Sequence, residues 1–124
     1  MRQRISSGAP MEPTIGYSRA IRVGNQVWVS ATAAIWPDGH VDPDAAAQAD
    51  RCLEIIEAAL SEAGATLRDV VRTRIYLADA ADCEAVSRVH GRYFGAIRPA
   101  NSLVEVSALI GDYKVEIEAE ALLD

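Results

Sequence analysis

The sequence predicts a single α+β domain, residues 1–124, in which two helices cover one face of a β-sheet. Two segments carry apolar residues at helical spacing, and five segments have the β-rich or alternating pattern of strands. Turn-forming residues, mainly Gly, Pro, Asn and Asp, stand between many of these segments. The predicted order is β-β-α-β-α-β-β, and a chain of this length corresponds to one domain.

The amino-terminal part predicts a β-hairpin. Residues Met1–Glu12 are polar and punctuated by Gly and Pro, so we expect an irregular start. The β-rich runs Ala20–Val23 and Val27–Ala33 flank Gly24-Asn25, a sequence typical of a short hairpin turn. In the second run, one row faces the core, and the other must face surroundings that tolerate an indole and hydroxyls. The two rows are Val27, Val29 and Ala31, and Trp28, Ser30 and Thr32.

A long helix is predicted from about Asp44 to Ala63, after the turn Pro37-Asp38-Gly39. Asp42 or Asp44 can cap its start, and Gly64 can end it. One apolar stripe follows steps of four, three, four and three residues. Its members are Ala49, Leu53, Ile56, Leu60 and Ala63.

The carboxyl-terminal half predicts three strands and a second helix. Val70–Leu77 alternates with one basic face, and the helix follows from about Asp79 or Ala81 to Phe94. Strands are expected at Ser102–Leu109 and Lys114–Leu122, joined by a Gly111-Asp112 turn. His90 lies on the apolar stripe of the second helix and is interpreted as a packing histidine.

The sheet face that the helices leave open is predicted to be mixed rather than plainly solvated. It would carry an indole, two arginines, a tyrosine, a hydroxyl and a row of glutamates. These are Trp28, Ser30, Arg72, Arg74, Tyr76, Glu116, Glu118 and Glu120. Such a face often packs against another copy of itself, so we expect a homo-oligomer. For Arg72 and Arg74, ion pairs with neighbouring carboxylates are favoured over ligand contact.

Composition excludes several classes of function. The net charge of −6 argues against nucleic-acid binding, which needs a basic face. No apolar run is long enough to span a membrane, and no secretory signal is recognised, so we expect a cytoplasmic protein without membrane contact.

Cys52 and Cys83 form no C-x-x-C pair and are interpreted as small packing residues. No cluster has metal-ligand spacing, so no metal site is predicted.

Short motifs along the chain resemble the RidA/YjgF family of reactive-intermediate deaminases. The resemblance covers about residues 13–121 and rests on the order and spacing of the motifs together. They are Ile15-Gly16-Tyr17-Ser18-Arg19-Ala20, Val23-Gly24-Asn25, Val29-Ser30, Gln48, Glu62-Ala63-Gly64-Ala65, Asp69–Leu77, Tyr93-Phe94-Gly95, Pro99-Ala100, Val104-Glu105-Val106, Leu109 and Val115–Ala119.

This resemblance implies a chorismate-mutase-like fold and a homotrimer with a barrel-like core of three sheets. It also implies a small-molecule ligand in each of three clefts between subunits. Deaminase members hydrolyse enamine or imine intermediates such as 2-aminoacrylate to 2-keto acids and ammonia. They use neither a metal nor another cofactor.

The resemblance also implies candidate site residues. Glu116 matches the glutamate that activates water, and Tyr17 and Ser30 match cleft hydroxyls. Asn101 stands where the deaminases have an arginine that binds the substrate carboxylate. Arg98 lies three residues earlier and could supply a substitute cation in the substrate-binding site. Because an asparagine brings no charge, efficient hydrolysis of 2-aminoacrylate is not expected.

Structural interpretations stay open beside these functional ones. Glu116 could be one of three solvated glutamates, Tyr17 a core or interface ring, and Ser30 a structural hydroxyl. Asn101 could be a turn residue, and Arg98 a solvated arginine of a loop. Two functions from different classes follow. One is an imine or enamine hydrolase acting on a substrate that is not held through a free carboxylate; the other is a non-catalytic trimer that binds a metabolite or a partner. Ribonuclease activity is disfavoured by the acidic charge and by the lack of a paired-histidine constellation.

Overall fold

One six-stranded sheet organises the chain, and the computed structural model describes residues 1–124. The mixed α+β class predicted from the sequence is confirmed, with three α-helices instead of two. The elements, in chain order, are β1 Arg2–Ile5, α1 Glu12–Ile15, β2 Ala20–Val23, β3 Gln26–Ala33, α2 Ala45–Glu62, β4 Val70–Leu77, α3 Cys83–Phe94, β5 Ala100–Glu105 and β6 Val115–Leu122. Short 3₁₀ turns at Leu67–Asp69 and Ala80–Asp82 precede β4 and α3.

The strands lie in the order β1-β2-β3-β6-β4-β5. Only β4 and β5 run parallel, and every other neighbouring pair is antiparallel. The central strand β6 pairs Ile117 with Ile75 of β4 and with Thr32 of β3, and all three side chains are buried. This row, with α2 packed on it, forms the middle of the core.

Helix α2 follows its predicted bounds closely. The Asp44 carboxylate accepts a hydrogen bond from the Ala47 backbone N–H at 2.9 Å, which caps the start of the helix. Gly64, with φ of +82°, lies just beyond the end of the helix. All members of the predicted apolar stripe are buried. Burying a side chain such as Leu53 or Ile56 contributes about 1.5–3 kcal/mol to stability.

Helix α3 begins later than either predicted start. The Asp79 carboxylate accepts from the Ala81 backbone N–H at 2.9 Å and caps a 3₁₀ turn, so the α-helix proper starts at Cys83. Its buried side chains are Val86, Val89 and Phe94. The His90 ring lies against Phe94 with centroids 4.7 Å apart, which confirms the packing interpretation of that histidine.

The expected irregular start at Met1–Glu12 is wrong. Residues Arg2–Ile5 form edge strand β1 on β2, and α1 begins at Glu12. Only Ile5 of this strand is buried, so the sequence shows no apolar alternation there, and backbone pairing alone makes the strand.

Two further corrections concern strands. The alternation predicted for β3 breaks at a register shift between Val29 and Thr32, so that Thr32 is buried and Ala31 is exposed. Strand β5 spans Ala100–Glu105 rather than Ser102–Leu109. Its parallel partner β4 ends at Leu77, opposite Glu105, so the later residues have no strand to pair with.

Candidate functional site

A groove of about 1000 Å³ lies on the sheet face opposite the buried core row. Tyr17 and Ser30 both line it, together with Trp28, Arg74 and Glu118. The residues that precede β2, including Glu12 of α1, form one wall. The structure therefore brings two of the predicted site residues, Tyr17 and Ser30, into one open cavity.

Local hydrogen bonds hold this wall in place. The Ser30 hydroxyl donates to the Ser18 carbonyl at 2.7 Å. The Glu12 carboxylate accepts from the Ser6 hydroxyl and from the Ser7 backbone N–H, both at 2.8 Å. The Ser7 hydroxyl also donates to this carboxylate and is the largest cause, followed by the other two bonds, of the lowered pKa of Glu12. The carboxylate therefore stays charged and holds Ser6 and Ser7, which follow β1, against α1.

The open sheet face carries a cluster of paired charges. Arg74 Nη1 lies 2.9 Å from Glu120 Oε1 and 3.6 Å from Glu118 Oε1. The Tyr76 hydroxyl donates to Glu118 at 2.7 Å, which raises the pKa of Tyr76. The ion pairing predicted for Arg74 is confirmed. That predicted for Arg72 is wrong, because its guanidinium donates to the Ser102 hydroxyl instead.

Glu116 differs from the two glutamates that follow it in the outer row of β6. Its carboxylate is half-buried and makes no hydrogen bond or ion pair with another side chain. Burial raises the pKa of Glu116, and the nearby positive charge of Arg19 offsets part of that rise. The carboxylate is thus free to bind a water molecule, and it is not sealed against Arg72 or Arg74.

Arg19 is a cation that the sequence analysis did not single out. Its Nη2 donates to the Ala31 carbonyl at 3.0 Å, and its Nε is buried without a partner. It directly precedes β2, and the Ser30 backbone N–H donates to its carbonyl at 2.9 Å. The sequence signal for it was its position in the motif Ile15–Ala20, two residues after Tyr17.

Asn101 lies on the edge strand β5 and is tied to the core side of the sheet. Its Nδ2 donates to Thr73 Oγ1 at 3.0 Å, and Thr73 Oγ1 lies 2.8 Å from His90 Nε2 on α3. Thr73 is fully buried, whereas Asn101 is exposed. The sequence did not indicate this three-residue chain, because its members come from β4, α3 and β5.

The predicted site residues therefore occupy separate places within one chain. In the strand register, Asn101 of β5 lies opposite Thr73 of β4, whose side chain is on the core side. Glu116 of β6 lies opposite Tyr76 of β4, whose side chain is on the open side. Neither lines the groove that contains Tyr17 and Ser30. Arg98 is exposed in the loop before β5, where its Nε donates to the Gly95 carbonyl at 3.3 Å and its φ is +56°.

The cysteines have no catalytic surroundings. Cys52 Sγ donates to the Thr32 carbonyl at 3.1 Å, and burial raises the pKa of this thiol to about 12. Cys83 is partly exposed and unbonded to another cysteine. No group of three or more His, Cys, Asp or Glu side chains is placed to hold a metal ion. No helix is both long enough and apolar enough to cross a membrane.

Comparisons with known proteins extend over nearly the whole chain. Residues 7–123 match the family model described as Endoribonuclease L-PSP. The chain is 42% identical over 112 residues to a RutC family protein of Pyrococcus abyssi, covering 89% of this chain and 88% of that protein. It is 34% identical over 110 residues to the 2-iminobutanoate/2-iminopropanoate deaminase of Escherichia coli strain K12, covering 86% of each.

The fold has a close match among solved structures. A crystal structure of a YjgF/YER057c/UK114 family member from Mycobacterium tuberculosis superposes with a TM-score of 0.92 at 48% identity. The match covers 99% of this chain and 100% of that chain. Strand order and helix placement are therefore shared with a protein of that family.

Proposed function

Because the chain belongs to the Endoribonuclease L-PSP family, that of the RutC and YjgF proteins, we propose that it hydrolyses imines or enamines without a cofactor. The similar Escherichia coli protein is named as a deaminase of two imino acids, 2-iminobutanoate and 2-iminopropanoate. We extend the reaction type to this chain, and we give it a different class of substrate.

The observation that carries this proposal is the free carboxylate of Glu116. Arg74 takes up Glu118 and Glu120, whereas Glu116 is half-buried and has no side-chain partner. A carboxylate in that state can orient a water molecule and take its proton. Its raised pKa makes it a stronger base than an exposed glutamate.

The reaction balances with water as the only added reactant. Glu116 accepts a proton from water while the oxygen bonds to the imine carbon. The π electrons of the C=N bond move to nitrogen, which takes up a proton. The carbinolamine then expels ammonia after a second proton transfer to nitrogen, and the hydroxyl becomes a carbonyl as it loses its proton. An enamine enters the same route after protonation at carbon.

A homotrimer would complete the site. Tyr17 and Ser30 line the open groove, and Glu116 and Asn101 lie outside it, so one chain does not assemble all four. Packing the open sheet faces of neighbouring subunits together would place residues of one chain against the groove of the next. The clefts between subunits would then hold the small molecule, with Tyr17, Ser30 and Asn101 as binding groups and Arg98 as a further candidate.

Asn101 sets the class of substrate. The resemblance to the RidA/YjgF family implies an arginine at this position in the deaminases, and a guanidinium binds a carboxylate through two charged hydrogen bonds. An asparagine amide has no charge, so we propose that the substrate is not anchored by a carboxylate at this residue. Hydrogen bonds to charged groups contribute about 1.5–3 kcal/mol each, so this replacement is large enough to change specificity.

The test is ammonia release from paired substrates. Freshly generated 2-aminoacrylate and its neutral amide, 2-aminoacrylamide, are incubated with the protein, and ammonia release is compared with the uncatalysed rate. We expect acceleration with the amide and little with the acid. No acceleration with either compound would contradict the proposed hydrolysis, and pyruvate release as fast as that of an arginine-bearing family member would contradict the assignment of Asn101.

A second candidate function is binding without catalysis. The groove of about 1000 Å³ contains Tyr17 and Ser30 but not Glu116, so it could hold a ligand remote from the free carboxylate. Saturable ligand binding that does not change when Glu116 is replaced, together with no turnover, would favour this function over hydrolysis.

A further inference from the structure

We propose that Thr73 and His90 fix the side-chain amide of Asn101 with its Oδ1 free, so that the site selects a hydrogen-bond donor over a carboxylate. The donor would be a primary amide, an amine or a hydroxyl on the ligand. This inference rests on the proposed function only for the place of the ligand, because the hydrogen bonds themselves are part of the fold.

The direction of the hydrogen bonds from Asn101 through Thr73 to His90 is inferred from which of their atoms carry a proton. Asn101 Nδ2 can only donate, so Thr73 Oγ1 accepts its hydrogen bond at 3.0 Å. The single hydroxyl proton of Thr73 is then available to His90 Nε2, 2.8 Å away. For that bond to form, Nε2 must be the unprotonated nitrogen of a neutral ring, with the proton on Nδ1.

The surroundings of His90 favour this neutral form. Burial lowers the pKa of His90, and no charged group contributes to the shift. Phe94 covers the ring on α3, and Thr73 contacts it from β4. Because Thr73 is fully buried, water does not compete for its hydroxyl. The amide of Asn101 is therefore held by a chain that ends inside the core.

The exposed end of this chain determines what a ligand meets. Nδ2 is bonded to Thr73, and Asn101 is exposed on the edge strand β5. We infer that Oδ1 keeps its lone pairs available to a ligand at this edge. A carboxylate placed there meets another acceptor, and at most the second N–H of Nδ2 can bind it. A ligand N–H or O–H instead completes a hydrogen bond. A site built around one polar group discriminates strongly against a ligand that leaves that group unpaired.

The first experiment measures the proton on His90 directly. The chain has two histidines, His40 and His90, so ¹⁵N spectra of histidine-labelled protein contain two rings, and a His40→Gln variant assigns them. We expect His90 at neutral pH to be a neutral ring with the proton on Nδ1 and none on Nε2. A protonated Nε2, in either a neutral or a charged ring, would make His90 the donor to Thr73 and release the Thr73 hydroxyl proton for another acceptor such as Asn101 Oδ1, which would overturn the inference.

The second experiment measures binding without turnover. Pyruvamide has a neutral primary amide where pyruvate has a charged carboxylate, and the two compounds are otherwise identical. Their dissociation constants are measured by calorimetry. We expect pyruvamide to bind about tenfold more tightly than pyruvate, because its N–H can donate a hydrogen bond to Asn101 Oδ1 and a carboxylate cannot. One such hydrogen bond changes a dissociation constant by about this factor. Thr73→Val should remove this preference, and Thr73→Ser, which keeps the hydroxyl, should retain it. Equal binding of both compounds, binding of neither, or a preference that survives Thr73→Val would overturn the inference.

The two proposals fail separately. If pyruvamide is preferred and the preference depends on the Thr73 hydroxyl, but imines are not hydrolysed, the selectivity stands and the hydrolase function does not. If imines are hydrolysed and pyruvate is preferred, the hydrolase function stands and the selectivity does not. Thr73→Val and Thr73→Ser are also compared by thermal unfolding, so that lost preference in a folded protein is separated from loss of the fold.

Discussion

Arg74 and Glu120 form an ion pair across the open sheet face, with Nη1 and Oε1 2.9 Å apart. The same nitrogen lies 3.6 Å from Glu118, so one guanidinium neutralises two glutamates of β6. Glu116, in the same row, is left without a side-chain partner. A regular row of three glutamates therefore contains two different environments, and only one of them suits acid–base chemistry.

Replacing Glu116 tests the catalytic assignment. Glu116→Gln keeps the size of the side chain and removes the base, so hydrolysis of a substrate found active should fall by about 10²–10⁴-fold. Glu57→Gln is the matched control, because it makes the same chemical change at an exposed position of α2, away from the groove and from the open sheet face. Unchanged turnover in Glu116→Gln would remove this residue from the mechanism.

The pH dependence of activity should show the same carboxylate. Burial raises the pKa of Glu116 above its ordinary value of 4.5, and the base must be charged to accept a proton from water. The acid limb of kcat/KM against pH should therefore lie above pH 4.5 and be absent from any residual activity of Glu116→Gln. An acid limb at or below the ordinary value would show that another group limits the rate.

Glu116→Gln should lower the activity of the protein but raise its stability at neutral pH. The folded state holds the proton of Glu116 more tightly than the unfolded state, because the pKa is raised on folding. The charged form therefore costs stability above the folded-state pKa, and this cost is lost progressively as pH falls from the folded-state pKa to the ordinary value of 4.5. Glu116→Gln should be more stable than the original protein at neutral pH, with a difference that shrinks on acidification. Thermal unfolding at a series of pH values measures this, and a less stable variant at neutral pH would contradict it.

The spacing of apolar residues in the sequence was sufficient to predict the core-facing side of α2, but it did not predict edge strand β1 or the register of β3. The stripe from Ala49 to Ala63 was identified because every member is buried against one layer. Strand β1 has only Ile5 buried, so its pairing leaves no pattern to detect. The shift in β3 that turns Thr32 inward depends on its register with β6, which no local pattern records.

The family resemblance supplied candidate site residues but not their arrangement in the fold. Glu116 and Asn101 were identified by resemblance, but alternation within single strands could not show that they lie on opposite faces of the sheet. The link from Asn101 through Thr73 to His90 joins residues far apart in sequence. Hydrogen bonds of this kind depend on how α3 packs on the sheet, and a sequence read segment by segment does not contain that information.

Restoring a cation at position 101 should move specificity toward acids. Asn101→Arg supplies the two charged donors that a carboxylate prefers, so kcat/KM for 2-aminoacrylate should rise by about 10–100-fold. Asn101→Gln is the control, because it lengthens the side chain without adding charge. The measurement is the rate of pyruvate formation. An equal gain in both variants would attribute the change to length, and no gain in Asn101→Arg would place the substrate away from residue 101.

The oligomeric state should depend on the open sheet face. The proposed trimer has about three times the 13.3 kDa mass of one chain, which sedimentation velocity measures directly. Trp28 lies on this face, is 38% exposed and pairs in register with Glu120. Trp28→Glu adds a charge beside the existing glutamates and should shift the protein to a single chain because a buried unpaired charge is costly.

Glu57→Lys changes charge on the exposed side of α2 and should leave the trimer intact. A single-chain mass in the unaltered protein would contradict the trimer. A trimer that persists in Trp28→Glu would contradict subunit contacts through the open sheet face and place them on another face.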